Sequence, residues 1–523
     1  MRSSTSTPPP LDAAPIPLDS SRGRWILAAT IIGSGMVFLD GSVVNVVLPL
    51  IQSDLSAPLS SLQWILDAYA LLLAALLLVG GALGDLYGRR EVFVAGLVVF
   101  TVASVACGIA PTATVLIVAR AIQGAGGALL VPGSLAMIKA VIKSEDSARA
   151  IGLWTGLSGV TAAIGPLVGG YLAGAVSWRT IFFINVPLAV AGVAMTLRFI
   201  PPNRDTEASR NLDWQGACLA VAGLGGVTYG LIEGPAKGWN TAMILGVLAL
   251  GIACCMLFLL WEWRADHPMV PLGLFRSRNF SGSNAVTLGV YFCFNGALLF
   301  LVLNLQQVQG CSPLQAGLSL FPITLLLLLL SPRMGRIMNR SGARLPMTVG
   351  PLIIALAFVL FMRPGQHISY LVDVFPAVFL LGIGMSIFIT PLTATVMSSV
   401  PSHSVGVASG VNNAVSRVAA LLAIAILGGV VANRFDATLT TNLARVPVSA
   451  PARASLVSHR DRLADIPVPT MLPPNVRIQT RVAIHDAFLN GFRWAMGSCA
   501  VICLVCAALA AAFVRDEPVH PVM

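Results

Sequence analysis

Apolar runs of about 20 residues recur along the whole chain, separated by short connections rich in arginine, glycine and proline. Such a run is long enough to cross a bilayer as a helix, and a soluble fold could not bury this many of them. In lipid the backbone must satisfy its own hydrogen bonds, which leaves helices or closed barrels, and these runs are too long and too little alternating for barrel strands. The expected fold is therefore an all-α polytopic membrane protein. Composition agrees, since 56% of the 523 residues are hydrophobic and only 10% are charged, with a mean hydropathy of +0.84.

Windows bounded by charges, prolines and turn residues predict about fourteen spans. The first six are Trp25–Val47, Leu62–Leu83, Val92–Ala110, Thr114–Ile138, Ile151–Val176 and Thr180–Ile200. Two more follow at Trp214–Ile232 and Met243–Trp263. The last six are Gly282–Leu305, Leu314–Ser331, Leu345–Met362, Leu371–Val396, Val405–Val431 and Phe488–Val514. The chain then divides into a polar, proline-rich tail at 1–23 expected to be disordered, a six-helix bundle at 24–200, a linker with two extra spans at 201–279, and a second six-helix bundle at 280–514. The second bundle includes an external connection at 432–487, and residues 515–523 form a short tail.

Basic residues orient the chain. With the N-terminus in the cytoplasm, the short inner loops and tails hold Arg22, Arg24, Arg89, Arg90, Lys139, Lys143, Arg149, Arg198, Arg204, Arg210, Arg264, Arg276, Arg278, Arg333, Arg336, Arg340, Arg344 and Arg515, against little beyond Arg179, Lys237 and Arg363 in the short outer loops. That asymmetry predicts a multi-pass protein of the cell membrane with both termini cytoplasmic. The net charge of +10 is then a topology signal and gives no reason to invoke nucleic acid. The N-terminal stretch does not resemble a signal peptide, because its charged and apolar regions are in the wrong order. Most of the nine cysteines lie in apolar runs, as small buried hydrophobes would, so neither a disulfide framework nor a metal site is implied. There is no phosphate loop of the G-x-x-x-x-G-K-[ST] type, and the dispersed histidines offer no clustered nucleophile and base, which disfavours an ATP-driven pump and a membrane enzyme.

Two patterns repeat within the chain. Gly81, Asp85, Gly88 and Arg90 recur at the same spacing as Gly335, Asn339, Gly342 and Arg344, each set at the end of the second span of its half. Gly124 and Gly126 with Pro132 are echoed by Gly382 and Gly384 with Pro391, one residue out of register at the proline. Two homologous six-helix halves separated by two extra spans is the simplest account, an architecture usual in transporters that rock around a central site.

The stretch GALGDLYGRR, from Gly81, is similar to the cytoplasmic signature between the second and third helices of the major facilitator superfamily. FLDGSVVNVVLPLIQSDL, from Phe38, resembles the first-helix signature of that superfamily's fourteen-span drug:proton antiporter family. ARAIQGAGGALLVP, from Ala119, resembles its fourth-helix motif with an intramembrane arginine, and GLSGVTAAIGPLVGGYL, from Gly156, resembles a fifth-helix motif that marks antiporters. The resemblance covers essentially the whole chain. It implies the major facilitator fold and proton-coupled efflux of a small-molecule drug or antibiotic by alternating access, as in bacterial antibiotic exporters. It also implies a monomer in the lipid bilayer whose partners are protons and a small-molecule substrate, with no cofactor beyond the proton gradient.

Charged residues inside spans are expensive and by default mark the transport pathway. Asp40, Asp67 and Arg120 fall at similar depths, about 7 to 11 Å below the outer surface at 1.5 Å per residue, so a single cluster is geometrically open to them. A carboxylate beside an arginine suits proton coupling, because small rearrangements load or release the proton. Asn45 and Gln123, in the same first- and fourth-helix motifs, join them as candidate proton-coupling or substrate residues. Gly81, Asp85, Gly88, Arg89 and Arg90, with Asn339 and Arg344, form a candidate latch. Their glycines allow tight turns and close helix approach, and Asp85 is suited to accept hydrogen bonds from arginines or from a helix N-terminus. An ion pair present in one conformation only would weight the inward-open against the outward-open state.

For Gly159, Gly165, Pro166, Gly169 and Gly170 the resemblance implies a conformational hinge, and their small size lets helices approach closely. The second half carries Arg417 beside Asn412 and Asn413, together with Asn284, Asn295, Asn304, Gln306 and Gln307, and no acid in mid-membrane. A cavity holding Arg120, Arg417 and amides would favour neutral, zwitterionic or anionic solutes over dications, unless Arg417 braces its helix through backbone carbonyls. Glu233 is expected near an interface, and 432–487 is too long for a simple connector and is expected to fold over the outer mouth. Proton-driven uptake of a small metabolite, a non-transporting membrane sensor and a membrane enzyme remain the alternatives.

Overall fold

A computed structural model describes residues 15–202, 213–265, 268, 270–366, 368–400 and 405–516. Among them, fourteen helices are long and apolar enough to cross a membrane. The first half holds α1 (Ser21–Asp54), α2 (Leu59–Tyr87), α3 (Arg89–Gly108), α4 (Ala113–Val141), α5 (Ser144–Ala175) and a sixth span broken into α6 (Thr180–Phe183) and α7 (Asn185–Phe199). The linker supplies α8 (Trp214–Lys237) and α9 (Ala242–Arg264). The second half holds α10 (Arg278–Leu303), α11 (Pro313–Ser341), α12 (Arg344–Phe361), α13 (Phe375–Ser398), α14 (Val405–Ala444), a short α15 (Ala450–Ser458) and α16 (Pro474–Phe513).

Local chemistry sets several helix ends. The Ser20 and Thr112 side chains accept from Gly23 and Val115 backbone N–H groups at the starts of α1 and α4, and a Ser312–Gln315 capping box opens α11. Pro187 has no N–H to give the Phe183 carbonyl, which accounts for the break in the sixth span. The expected disorder of the tail does not extend to residues 15–23. Ile16 and Leu18 are buried at the corner between α4 and α5, where Ile16 bridges to Ile142 and the Leu18 N–H donates to Asp146 at 2.9 Å.

The two halves repeat in their contacts as well as in their motifs. Gly88 and Gly342 join the second helix of each half to the third at φ of 109° and 74°, in the region that side chains rarely tolerate. A Cβ added at Gly124 would meet the backbone of Tyr69 on α2, and one at Gly382 would meet that of Ile323 on α11. Tyr69 and Ile323 stand equally far before Gly88 and Gly342. Gly126 abuts Phe100 on α3 and Gly384 abuts Ile354 on α12, again in matching register. The pattern is that of one packing scheme used twice.

The halves meet along two seams, α2 against α14 and α5 against α11. We term the end of the bundle carrying Ser21, Tyr87 and Phe513 proximal and the opposite end distal. The hydrogen bonds described between the halves are all distal. Gln63 donates to the Ile424 carbonyl at 2.6 Å, Gln306 to the Val46 carbonyl at 2.6 Å, Gln307 to Gln52 at 2.7 Å, and Gln52 to the Arg462 carbonyl at 3.2 Å. On the other seam Gly170 abuts Pro313 and Leu314, and Gly317 abuts Pro166. In the proximal half of α5, by contrast, Gly152, Gly156 and Gly159 each have open space where a Cβ would stand. The bundle is closed at its distal end.

The two extra helices are placed unevenly. α8 packs on both α2 and α14, over one seam, and α9 packs on α8. The Trp64 indole donates to Glu233 at 3.2 Å while Lys237 pairs with Glu233 at 3.0 Å, so Glu233 ties α8 to α2.

Residues 432–487 are mostly helix. α14 runs on to Ala444 and α16 starts at Pro474, well beyond the predicted spans, because their extensions pack on each other. Between them α15 and a 3-10 turn at Arg460–Asp465 fold over the distal end, and Arg460 pairs with Asp436 at 3.6 Å. Leu463 in that turn holds φ 53° and ψ −124°, a strained backbone for a branched side chain. Its side chain is nevertheless 2% exposed and lines a small cavity with Leu59 and Gln63 of α2 and with Gly428 and Ala432 of α14.

The close approach at Gly126 predicts that Gly126→Val costs about 1–3 kcal/mol through overpacking against the Phe100 backbone. In a thermal unfolding series on detergent-purified protein, Gly126→Val should lower the midpoint clearly while Gly159→Val, with nothing to strike, leaves it near wild type. Equal midpoints for the two variants would contradict this packing.

Candidate functional site

Asp40 on α1 stands at the centre of a buried polar network. Its Oδ2 accepts from Nη1 of Arg120 on α4, and its Oδ1 accepts from Gln123 Nε2 at 2.9 Å and from Asn185 Nδ2 on α7 at 3.3 Å. Arg120 is held from its other sides as well. Nη1 also donates to Gln123 Oε1 at 2.7 Å, Nε donates to the Ile65 carbonyl at 3.1 Å, and the guanidinium carbon lies 4.1 Å from the centroid of the Tyr69 ring. Asn185 donates onward to Ser104 Oγ at 2.9 Å, and that hydroxyl donates to the Phe182 carbonyl at 2.8 Å, beside the break in the sixth span. Asp40 and Arg120 are 0% and 1% exposed. The pair is neutral overall and sealed inside the first half.

Asp67, which depth alone would allow into this cluster, points elsewhere. Ile65 and Tyr69, four residues apart, present one face of α2 to Arg120, and Asp67 lies two residues from each, on the opposite face. That face is shared with Gln63, one turn away, whose side chain reaches α14. Asp67 is completely buried, and neither carboxyl oxygen has a hydrogen-bond partner among the described residues. α1 continues past the predicted end at Val47 to Asp54, with Leu48, Ile51 and Gln52 buried under the distal cap, so Asp40 lies about 21 Å along the axis from the helix end.

Arg417 on α14 faces the first half. Its Cζ lies 5.7 Å from the centroid of the Phe38 ring on α1. Phe38, Gly41, Ser42 and Asn45 form a half-buried stripe along α1, and Asn45 bonds only back to its own helix, at the Gly41 carbonyl (3.1 Å). Arg120, by contrast, is 1% exposed, and the partners described for it all belong to the first half. The amides of the second half are likewise dispersed. Asn412 joins α14 to Asn284 and Thr287 of α10 at 3.0 and 2.9 Å, while Gln306 and Gln307 lie in a π turn at Asn304–Val308 whose extra width lets successive side chains reach α1.

The candidate latch residues pack within their own halves. Gly81 lies 3.6 Å from Pro132 of α4 when given a Cβ, Arg89 donates to the Ala136 carbonyl at 3.5 Å, and Arg90 donates to the Ile200 carbonyl at 3.3 Å and pairs with Glu91 at 2.8 Å. Arg344 follows suit in the second half, its Nε donating to the Ala511 carbonyl and its backbone N–H to Asp516, both at 2.9 Å. The side chains of Asp85 and Asn339 lie outside the described residues. In the candidate hinge, Gly165 abuts Ser42 and Gly169 abuts Val43, both on α1, whereas Pro166 and Gly170 abut α11 and Gly159 abuts nothing.

Sequence reasoning misses Tyr69, Ser104 and Asn185. An asparagine two residues before a proline inside an apolar run is the signal that would have found Asn185. Ser104 and Tyr69 carry no comparable signal, because each gains its role from a partner on another helix.

Residues 30–424 match the family model of the Major Facilitator Superfamily. The chain is 33% identical over 520 residues to the tetracenomycin C resistance and export protein of Streptomyces glaucescens, covering 97% of this chain and 95% of that protein. It is also 33% identical over 494 residues to multidrug resistance protein Stp of Mycobacterium tuberculosis (strain CDC 1551 / Oshkosh), covering 90% of this chain and 91% of that protein. Among solved structures it resembles a bacterial homologue of the human lysosomal transporter Spinster in an inward-facing, unoccupied conformation. The TM-score is 0.63 at 19% identity over 94% of this chain and 97% of that one, a likeness of fold alone. With its two repeated six-helix halves, its buried charge network and a family match over most of its length, the chain belongs to the Major Facilitator Superfamily and is a multi-pass membrane transporter, not an enzyme.

Proposed function

We propose that this transporter exports a small-molecule drug or antibiotic across the cell membrane in exchange for protons, by alternating access, with both termini and hence the proximal end in the cytoplasm. The observation that carries the reading is a seam whose hydrogen bonds, among the described residues, all lie at its distal end, with a carboxyl buried on it, that of Asp67, that has no partner among those residues. The direction of transport rests on similarity to the tetracenomycin C resistance and export protein. The arginine-rich proximal loops support the orientation.

A carboxylate buried without a partner is costly, so the α2–α14 seam closes most easily over Asp67 when that residue carries a proton. A proton taken from outside while the distal end is open therefore favours distal closure. Its loss to the cytoplasm, together with substrate binding, favours reopening. The Asp40–Arg120 pair is a second element. It holds α1, α4 and α7 in one arrangement, and a proton on Asp40 would release Arg120 and let α1, whose seam face carries Phe38 and Asn45, resettle. Proton-driven uptake is disfavoured by the antiporter-like fifth-helix motif, and a passive sensor gives the unpartnered Asp67 no task.

In proteoliposomes holding a proton gradient, wild-type protein should release protons when a transported antibiotic from a neutral, anionic and cationic panel is added. Asp67→Asn should lose at least about tenfold of that proton flux while still exchanging labelled substrate for unlabelled, since the amide mimics the protonated acid. Retention of coupled flux in Asp67→Asn would move the proton site off α2. Asp40→Asn leaves Arg120 buried without its counter-charge, and a loss of about 3–5 kcal/mol in stability is expected. The double variant Asp40→Asn, Arg120→Gln should recover most of that stability without recovering coupled flux; a double variant no more stable than the single one would contradict the pairing.

A further inference from the structure

Where the two halves face each other, Arg417 is a permanent charge with no counter-charge among the described residues. Arg417 lies in mid-helix on α14 and is half-buried, yet its guanidinium has no hydrogen bond and no ion pair among the described residues. A brace through backbone carbonyls would show as such a bond. The nearby acid on α1, Asp40, is unavailable, because both of its oxygens are taken by Arg120, Gln123 and Asn185 and it is fully buried. Asp67 has no hydrogen-bond partner, Arg417 included, among the described residues. A permanently charged group in this setting is expensive to keep and is normally matched by something.

The surroundings say what would match it. The guanidinium carbon lies over the Phe38 ring at 5.7 Å from its centroid, within the range of a cation–π interaction, which takes up none of the guanidinium's N–H groups as a hydrogen bond would. Along the same stripe of α1, Asn45 commits its Nδ2 to its own helix, and its carbonyl oxygen has no hydrogen bond among the described residues. One turn before Arg417 on α14 lies Asn413, which is exposed. An apolar ring, a two-pronged cation and two amides form a surface suited to a flat organic acid.

We propose that Arg417, set over the Phe38 ring, is the docking point for an acidic group of the transported substrate, a carboxylate or an acidic phenol on an aromatic framework, so that the exporter selects organic acids over their neutral and cationic analogues. The proposal rests on the export reading and deepens it. Arg417 then fills with substrate the role that an aspartate would fill in a protein handling cations, and the substrate's charge is neutralised by the second half while proton handling stays in the first.

The test compares one acid with its uncharged twin. Nalidixate and nalidixamide share a ring system and differ in the carboxylate. Binding of each to detergent-purified full-length protein is measured by tryptophan fluorescence quenching, for wild type, Arg417→Gln and Arg417→Lys. The expected result is that wild type binds nalidixate at least about tenfold more tightly than nalidixamide, Arg417→Gln loses that preference while binding the amide as before, and Arg417→Lys keeps part of it. Amide binding by Arg417→Gln also reports that the variant is folded. No preference in wild type, no binding of the acid, or a preference that survives in Arg417→Gln would each overturn the proposal. Proton flux in proteoliposomes is read separately: acid binding through Arg417 without any substrate-driven proton release would defeat the export reading and leave the anion site standing.

Discussion

Bringing Asp40 and Arg120 together inside the first half imposes most of what surrounds them. Two charges removed from water are tolerated only if their remaining donors and acceptors are met, and here that requirement recruits Gln123, Asn185, the Ile65 carbonyl and the Tyr69 ring from three helices, α4, α7 and α2. Gly124 must then lie flat against the α2 backbone at Tyr69, since a larger residue would push α4, and with it Arg120, away from its partners. The break in the sixth span belongs to the same demand, because it sets Asn185 at the start of α7 and in reach of both Asp40 and Ser104. Packing and charge satisfaction are one problem in this half.

The contacts between the halves are of another kind. Where the inside of the first half is held by an ion pair, the seams are held by neutral amides and by glycine against backbone. Each amide bond contributes about 1 kcal/mol net, so exchanging it for water when the seam parts costs little. Leu463 adds an apolar plug held by strained backbone, which lowers the stability of the closed arrangement relative to what its burial alone would give. Such an interface suits two bodies that separate and rejoin, while the buried networks keep each body intact.

How much of this is legible in the sequence depends on what each feature is fixed by. The number of spans is legible because bilayer thickness sets the length of an apolar run. The ends of α1, α14 and α16 are not, because those helices continue on residues held by the distal cap instead of by lipid. The repeat is legible from glycine spacing, and the equivalent contacts at Gly124 and Gly382 follow it. Asp40 and Arg120 are legible from the cost of intramembrane charge. The separate place of Asp67 is not, since depth along a helix carries no information about azimuth until Ile65 and Tyr69 are known to face Arg120. The enclosure of Arg120 away from Arg417 is hidden for the same reason.

The uneven placement of α8 and α9 has a consequence for lateral access. The two halves are related by a repeat, so their two seams would otherwise be equivalent to the surrounding lipid. Because Glu233 fastens α8 to α2 while α8 also leans on α14, one seam is screened from the acyl chains by a double layer of helix, and α5 against α11 is left bare. On the flank of the linker spans the surrounding lipid therefore meets α8 and α9 in front of the joint between the halves, whereas on the other flank it meets α5 and α11 themselves, so two joints that the repeat would make alike face unlike surroundings.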